Sequence, residues 1–157
     1  SKYPTGQQIA DGMMRRIIAV DKILSEYNRV YLNISFRRNI SESQYQLSEK
    51  IKIINLNYFL HRKKIMQYIQ SSEIVYVHSM YNMIRILPFV QMNSSSLVLD
   101  VHGVVPEENL YLKHFLKYLI MQNCEKEAFR RANVKIYVSE SMKNYYQQKY
   151  GEYFCWL

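Results

Sequence analysis

At 157 residues the chain suits one domain around one core. With 48% hydrophobic and 22% charged residues it is composed to fold rather than stay disordered, and it holds no apolar run near the roughly 18 residues needed to span a bilayer. A net charge of +8 favours anionic partners, whether nucleotides, phosphates, lipid headgroups or nucleic acid, without choosing among them.

In chain order, the opening Tyr3-Pro4-Thr5-Gly6 reads as a turn. Residues 13–26 carry Met13, Ile17, Val20 and Leu24 at helical spacing, with Asp11 as N-cap. Residues 29–36 are rich in β-branched and aromatic side chains and predict a strand; residues 37–46 are polar and read as a loop. A strand over 50–56 and a helix over 58–70, carrying the basic run His61-Arg62-Lys63-Lys64, come next. Then follow a strand over 73–77, a helix over 81–92 that Pro88 should kink or cut, and a strand over 96–101. A long helix is expected from about 107 to 132, a strand over 134–138, and a helix over 139–149 with Ser139 as N-cap and Gly151 near its C-cap. Strands separated by helices of this length need crossover connections and so a parallel sheet. The expected fold is α/β: a Rossmann-like, doubly wound parallel sheet in a single domain over 1–157. Such a domain normally opens on a strand, so the first strand is expected to be missing or truncated to residues 1–3, and both ends read as cuts through a larger protein. The vacant slot could stay empty, or be filled by the tail over 153–157 or by another chain.

In open parallel sheets ligands bind at the carboxyl ends of the strands. That rule selects Thr5, Gly6, Gly12, Arg15 and Arg16 after the presumed first strand, Arg37 and Arg38 after the second, His78-Ser79 further on, then His102-Gly103 and Ser139-Glu140. Two of the four histidines thus fall on one rim. His102 can hydrogen-bond a polar ligand through its imidazole, and Gly103 beside it permits close approach. His78 has no neighbour that completes a catalytic pair, so its plainer reading is structural. Arg15 and Arg16 could reach an anion at a helix N-terminus. No G-x-G-x-x-G fingerprint occurs. Asp100-x-His102 could begin a metal site, but no third ligand stands at suitable spacing, so no metal is expected. Glu107 and Glu108 read as acids favoured at a helix start. The lysines and arginines are scattered rather than gathered on one face, which argues against nucleic acid. A membrane surface fits better: the run over 61–64, and Lys113 and Lys117 with Tyr111 and Tyr118, could meet anionic headgroups. Cys124 and Cys155 show no disulfide or zinc spacing and read as free thiols, and the opening residues are no signal peptide; a cytoplasmic location is expected, peripheral at the inner face of the plasma membrane if that contact is made.

Three segments together resemble the N-terminal domain of the GT4 family of GT-B glycosyltransferases. They are Tyr3-Pro4 through Asp11-Gly12-Met13 with Arg15; the Leu97-Val98-Leu99-Asp100-Val101-His102-Gly103 strand and turn, followed by Pro106-Glu107-Glu108; and Ala132-Asn133-Val134 through Ser139-Glu140-Ser141-Met142-Lys143. The first loop departs from the family in having Asp11-Gly12-Met13 where paired glycines are often seen, and Asn133 stands where Asp is common. The resemblance implies metal-free transfer of a sugar, with retention of configuration, from a nucleotide-sugar donor to a glycan or lipid-linked acceptor in bacterial surface polysaccharide synthesis. His102 would approach the transferred sugar as the catalytic group. Thr5, Gly6, Gly12 and Arg15 would face the donor phosphates or the acceptor, and His78, Gly103 and Ser139 would line the cleft. The donor-binding C-terminal domain is absent from this sequence, so the fragment is expected to be inactive alone. Two alternatives stand beside this: a fragment of a GT-B sugar-nucleotide epimerase, and a non-catalytic basic α/β module that binds a membrane or partner.

Overall fold

The structure, a computed structural model, describes residue 3 and residues 12–37, 41–90 and 95–151. The chain packs as two compact units, Ser1–Ile65 and Met66–Leu157. The expected strand remnant at residues 1–3 lies outside the described residues apart from Tyr3, which has no regular structure. The Asp11 cap and the tail over 153–157 also lie outside them.

In the first unit, α1 (Gly12–Ile23) is followed by β1 (Arg29–Ser35), β2 (Ser43–Ser48) and β3 (Ile51–Asn57). Ile17 of α1 is fully buried. Asp21, in the last turn of that helix, pairs with Arg29 at 3.1 Å and accepts a hydrogen bond from the Tyr31 hydroxyl at 2.5 Å, which fastens α1 to β1. β3 is the central strand: it runs parallel to β1 and antiparallel to β2, in the order β1-β3-β2. Its run of isoleucines and leucine is buried on both faces, as a central strand requires. β2 corrects the sequence reading, which takes this stretch as loop. Its residues, Ser-Gln-Tyr-Gln-Leu-Ser, are all exposed, so an edge strand here carries no apolar face to signal it. Asn33, Asn55 and Ser43 instead form a polar ladder across the three strands, Asn33 Nδ2 to Asn55 Oδ1 at 2.7 Å and Asn55 Nδ2 to Ser43 Oγ at 2.9 Å. This sheet is therefore mixed, not purely parallel.

The division falls within α2 (Arg62–Gln70). The second unit contains β4 (Ile74–His78), α3 (Met80–Ile86), β5 (Ser96–Val101), α4 (Val105–Tyr111), α5 (Phe115–Arg131), β6 (Val134–Tyr137) and α6 (Glu140–Tyr150). Here the parallel expectation holds: the strand order is β4-β5-β6 and both pairings are parallel. Leu97, Leu99 and Val101 line one face of β5 and are buried, with Phe129 of α5 and Tyr146 of α6 stacked at 4.6 Å in the same unit's core. Pro88 acts as predicted. α3 stops at Ile86 and a 3₁₀ turn over Leu87–Phe89 follows; the Arg131 guanidinium donates to the Leu87 and Val90 carbonyls at 3.1 and 2.7 Å.

The single long helix expected from 107 to 132 is two helices. Lys113 adopts a left-handed backbone, φ 59°, and the His114 amide bonds to the Asn109 carbonyl at 2.8 Å while that of Lys113 bonds to Leu110 at 2.9 Å. This is the paired-bond stop that normally uses glycine, and a lysine in its place left no signal in the sequence. At the other end of the unit, both predicted caps are present. Ser139 Oγ accepts from the Met142 amide at 3.2 Å, and Gly151, φ 83°, closes α6 with its amide on Gln147.

Candidate ligand site at the rim of the parallel sheet

Because β4, β5 and β6 are parallel, their carboxyl ends share one rim, and His78, His102-Gly103 and Ser139 all lie on it. Side chains two apart on a strand share a face. Tyr76 and His78 therefore point to one side of β4, and Asp100 and His102 to one side at the end of β5. The register sets His78 opposite Asp100. Those two facts assemble a cluster. Asp100 Oδ2 accepts a hydrogen bond from the Tyr76 hydroxyl at 2.8 Å, and lies 3.3 Å from His78 Nδ1 and 3.0 Å from His102 Nε2. Asp100 is fully buried, His78 is 7% exposed, and the His102 side chain retains 14% exposure.

The two imidazole nitrogens are within ion-pair distance of the carboxylate, yet neither is aligned for a hydrogen bond. A buried nitrogen in that state costs about 1–3 kcal/mol, so the arrangement has unspent capacity. Two chemistries suit it. A protonated imidazole would balance the buried carboxylate and still leave His102 able to contact a polar ligand at the rim. Alternatively, three donors within 4.8 Å of one another could hold a metal ion. The donors of a tetrahedral zinc site, at about 2.0–2.1 Å from the ion, lie roughly 3.3 Å apart, close to the separations from Asp100. The third donor that sequence spacing does not supply would be His78, set beside Asp100 by strand pairing.

The turn beyond His102 is held from behind. The Tyr146 hydroxyl lies 3.2 Å from the Gly103 carbonyl and 2.9 Å from Glu125 Oε2, sharing its one hydrogen between them. Glu125 is fully buried and also meets Lys149 Nζ at 2.7 Å and the Tyr150 hydroxyl at 2.7 Å. Lys149 reaches on to Glu107 at 2.6 Å. Burial alone would lower the Lys149 pKa, but its hydrogen bonds to Glu107 and Glu125 outweigh that and raise it. Burial and the nearby Glu125 carboxylate push the Cys124 thiol up to about 11, so it stays an unreactive packing group. The Glu108 carboxylate sits against Gly103, where a Cβ would lie 2.6 Å from Oε1; any larger residue would displace that side chain.

Of the other residues singled out from sequence, Thr5 and Gly6 lie outside the described residues. Gly12 opens α1 with open space around it, and Arg15 is exposed on the first turn; both belong to the first unit. Ser139 is exposed, with its hydroxyl engaged as the α6 cap. In the basic run over 61–64, Arg62, Lys63 and Lys64 are exposed, and three of the four side chains have a neighbour. His61 Nδ1 accepts from the Asn57 amide at 2.9 Å, Lys64 pairs with Glu42 at 2.5 Å, and Arg62 lies over the Tyr58 ring. Sequence reasoning missed Tyr76, Glu125, Tyr146 and Lys149. For Tyr76 the signal was present as Tyr-x-His on a strand, but it means nothing until the neighbour's register is known.

No family model matches the chain, and no curated protein matches it.

Proposed function

We propose that this chain is the acceptor-side, Rossmann-like half of a retaining GT-B glycosyltransferase of the GT4 type. In this reading His102 hydrogen-bonds the transferred sugar. The donor is a nucleotide sugar, the acceptor a glycan or lipid-linked glycan, and the setting cytoplasmic synthesis of a bacterial surface polysaccharide. The observation that carries it is the His102 Nε2 beside buried Asp100, at the carboxyl rim of a parallel sheet, with a glycine next in the chain. Transfer with retention develops positive charge on the sugar and negative charge on the departing diphosphate, and pre-set polar groups in a dry site stabilise such charge strongly. Asp100 is suited to act as a charge partner beside the His102 ring, 3.0 Å from Nε2, and Tyr76 to hold Asp100 through its hydrogen bond. The space a side chain would take at Gly103 is filled by the Glu108 carboxylate, which sets that acid beside the turn. The second wall of the cleft, with most of the diphosphate contacts, belongs in this reading to a separate donor-binding domain.

The test is release of nucleoside diphosphate from a panel of nucleotide sugars. We expect no turnover from this chain alone. Joined to a donor-binding half, the protein is expected to turn over one donor, and His102→Ala to lower kcat by about 10²–10³-fold, the loss typical of removing one pre-set donor. Robust turnover by the chain alone would overturn the two-domain assignment, and full turnover by His102→Ala would remove His102 from the chemistry.

A second reading is favoured by the two unaligned imidazole nitrogens: that His78, Asp100 and His102 hold a transition-metal ion. Titration with zinc or cobalt, followed by calorimetry and by the visible spectrum of bound cobalt, separates the two. Stoichiometric binding lost in His78→Ala supports the ion; no heat and no spectrum returns the cluster to the hydrogen-bonding role.

A further inference from the structure

The most unusual surface of the second unit is the tip of the α4–α5 pair. The first buried residue of α5 is Cys124; the helix before it, about 13 Å long at 1.5 Å per residue, buries no side chain. Tyr111, Leu112, Phe115, Leu116, Leu119 and Ile120 are all exposed there, Tyr111 at 87% and Leu116 at 73%. On α5 the apolar members are spaced i, i+1, i+4, i+5, so they share one side of the helix. Large apolar side chains exposed together on one side of a helix suit a docking site better than a solvated face.

The charge around it identifies the occupant. No acidic residue stands between Glu108 and Glu125, while Lys113, His114 and Lys117 fall among the apolar side chains. Lys113 and Lys117 are exposed and pair with no acid among the described residues. Of the acids that bound the segment, Glu125 is buried on Tyr146 and Lys149, Glu107 is held by Tyr145 and Lys149, and Glu108 lies against Gly103. An apolar tip interleaved with aromatic and lysine side chains, and free of acids, is built for an interface whose one side is hydrocarbon and whose other side is anionic. Lysine stems can lie along the apolar surface while their ammonium groups reach phosphates. A second copy of the chain is a poorer occupant, since it would bring the same lysines against each other.

We propose that the tip of the α4–α5 pair, residues 110–120, docks this protein on an anionic lipid surface. The proposal does not depend on the transfer chemistry. Of the two stretches the sequence offers for such a contact, it takes the one with Lys113 and Lys117, where apolar side chains are exposed beside the lysines.

Co-sedimentation of the full chain with vesicles tests it, comparing phosphatidylglycerol mixed with phosphatidylcholine against phosphatidylcholine alone. Binding is expected only with the anionic vesicles and should weaken as salt rises. Lys113→Glu with Lys117→Glu is expected to weaken it at least tenfold, since each lysine near such a surface is worth roughly a factor of five. Leu116→Ser with Phe115→Ser should weaken it comparably without changing the circular dichroism spectrum, as both positions are exposed. Lys63→Glu, on α2, should bind as the unchanged protein does. The proposal is overturned if the unchanged chain stays in the supernatant with anionic vesicles, or if the tip variants bind as tightly as it does. It is also overturned if sedimentation equilibrium shows a dimer that Leu116→Ser dissolves while vesicle binding is absent.

Discussion

Ser79 is where the candidate site stores strain. Its backbone, φ 67° and ψ 155°, lies in a region populated almost only by glycine, and holding a residue there costs of order 1–3 kcal/mol. The geometry has a use. It turns the chain from β4 into α3 directly after His78, and it places the Ser79 amide 2.9 Å from the Asp100 carbonyl. His78 and Asp100 are thereby fixed side by side at the strand end. Ser79→Gly should relieve the strain and lose some of that gain to the greater freedom of glycine in the unfolded chain. A net stabilisation of about 1 kcal/mol is expected, read as a higher urea midpoint with an unchanged slope. A lower midpoint would mean that the Ser79 side chain contributes packing that outweighs the strain.

At the scale of elements, the break between α4 and α5 sets the form of that helix pair in the second unit. Had the helix continued from 107 to 132, the apolar tip would be the middle of one rod. The stop at Lys113 instead makes two packed helices with an exposed elbow. A left-handed residue other than glycine costs about 1–2 kcal/mol. Lys113→Gly is therefore expected to stabilise the fold by about 1 kcal/mol, seen as a raised Tm, with the elbow retained. If Lys113→Gly lowered Tm, the left-handed stop would not be the element's true end. The elbow is secured from its other side by Asn109, whose side chain bonds to the Val105 carbonyl at 2.8 Å and whose own carbonyl takes the His114 amide.

At the scale of the second unit as a whole, α4, α5 and α6 are joined by the Glu107–Lys149–Glu125 chain of charges. Burial acts to raise the Glu107 pKa, but hydrogen bonds from Lys149 and Tyr145 prevail and hold it below its ordinary 4.5. The unfolded chain therefore takes up this proton at a higher pH than the folded one. The Glu107 contribution is fully present above 4.5 and is lost as pH falls through the depressed value. For Lys149 the sign is opposite. Its contribution is present below 10.5 and is lost only as pH rises through its raised pKa. Urea unfolding across the acid range should show stability falling below pH 4.5, and Glu107→Gln should be less stable near neutrality but fall less steeply in acid. An acid slope unchanged in Glu107→Gln would place that pH dependence elsewhere.

Much of this was legible in the sequence. Apolar periodicity and β-branched runs located β1, β3, β4, β5 and β6. Pro88, Ser139 and Gly151 marked the ends of helices where the structure has them. The alternation of strand and helix implied the parallel pairing of β4, β5 and β6, and the strand-end rule then put His78 and His102 on one rim. These features depend on neighbours in the chain, so local chemistry is enough to determine them. What depends on contacts distant in sequence was not legible. β2 carries no apolar face, because its pairing with β3 uses backbone bonds that any residue can supply. The stop at Lys113 uses a backbone conformation that its side chain does not announce. His78 meets Asp100 only because two strands 22 residues apart pair in a particular register, and one residue of slip would turn the facing side chains to opposite sides of the sheet. The sequence by itself determined which residues could do chemistry at the rim. The tertiary structure decided that His78, Asp100 and His102 stand together as one cluster, because only packing fixes the distance between strands.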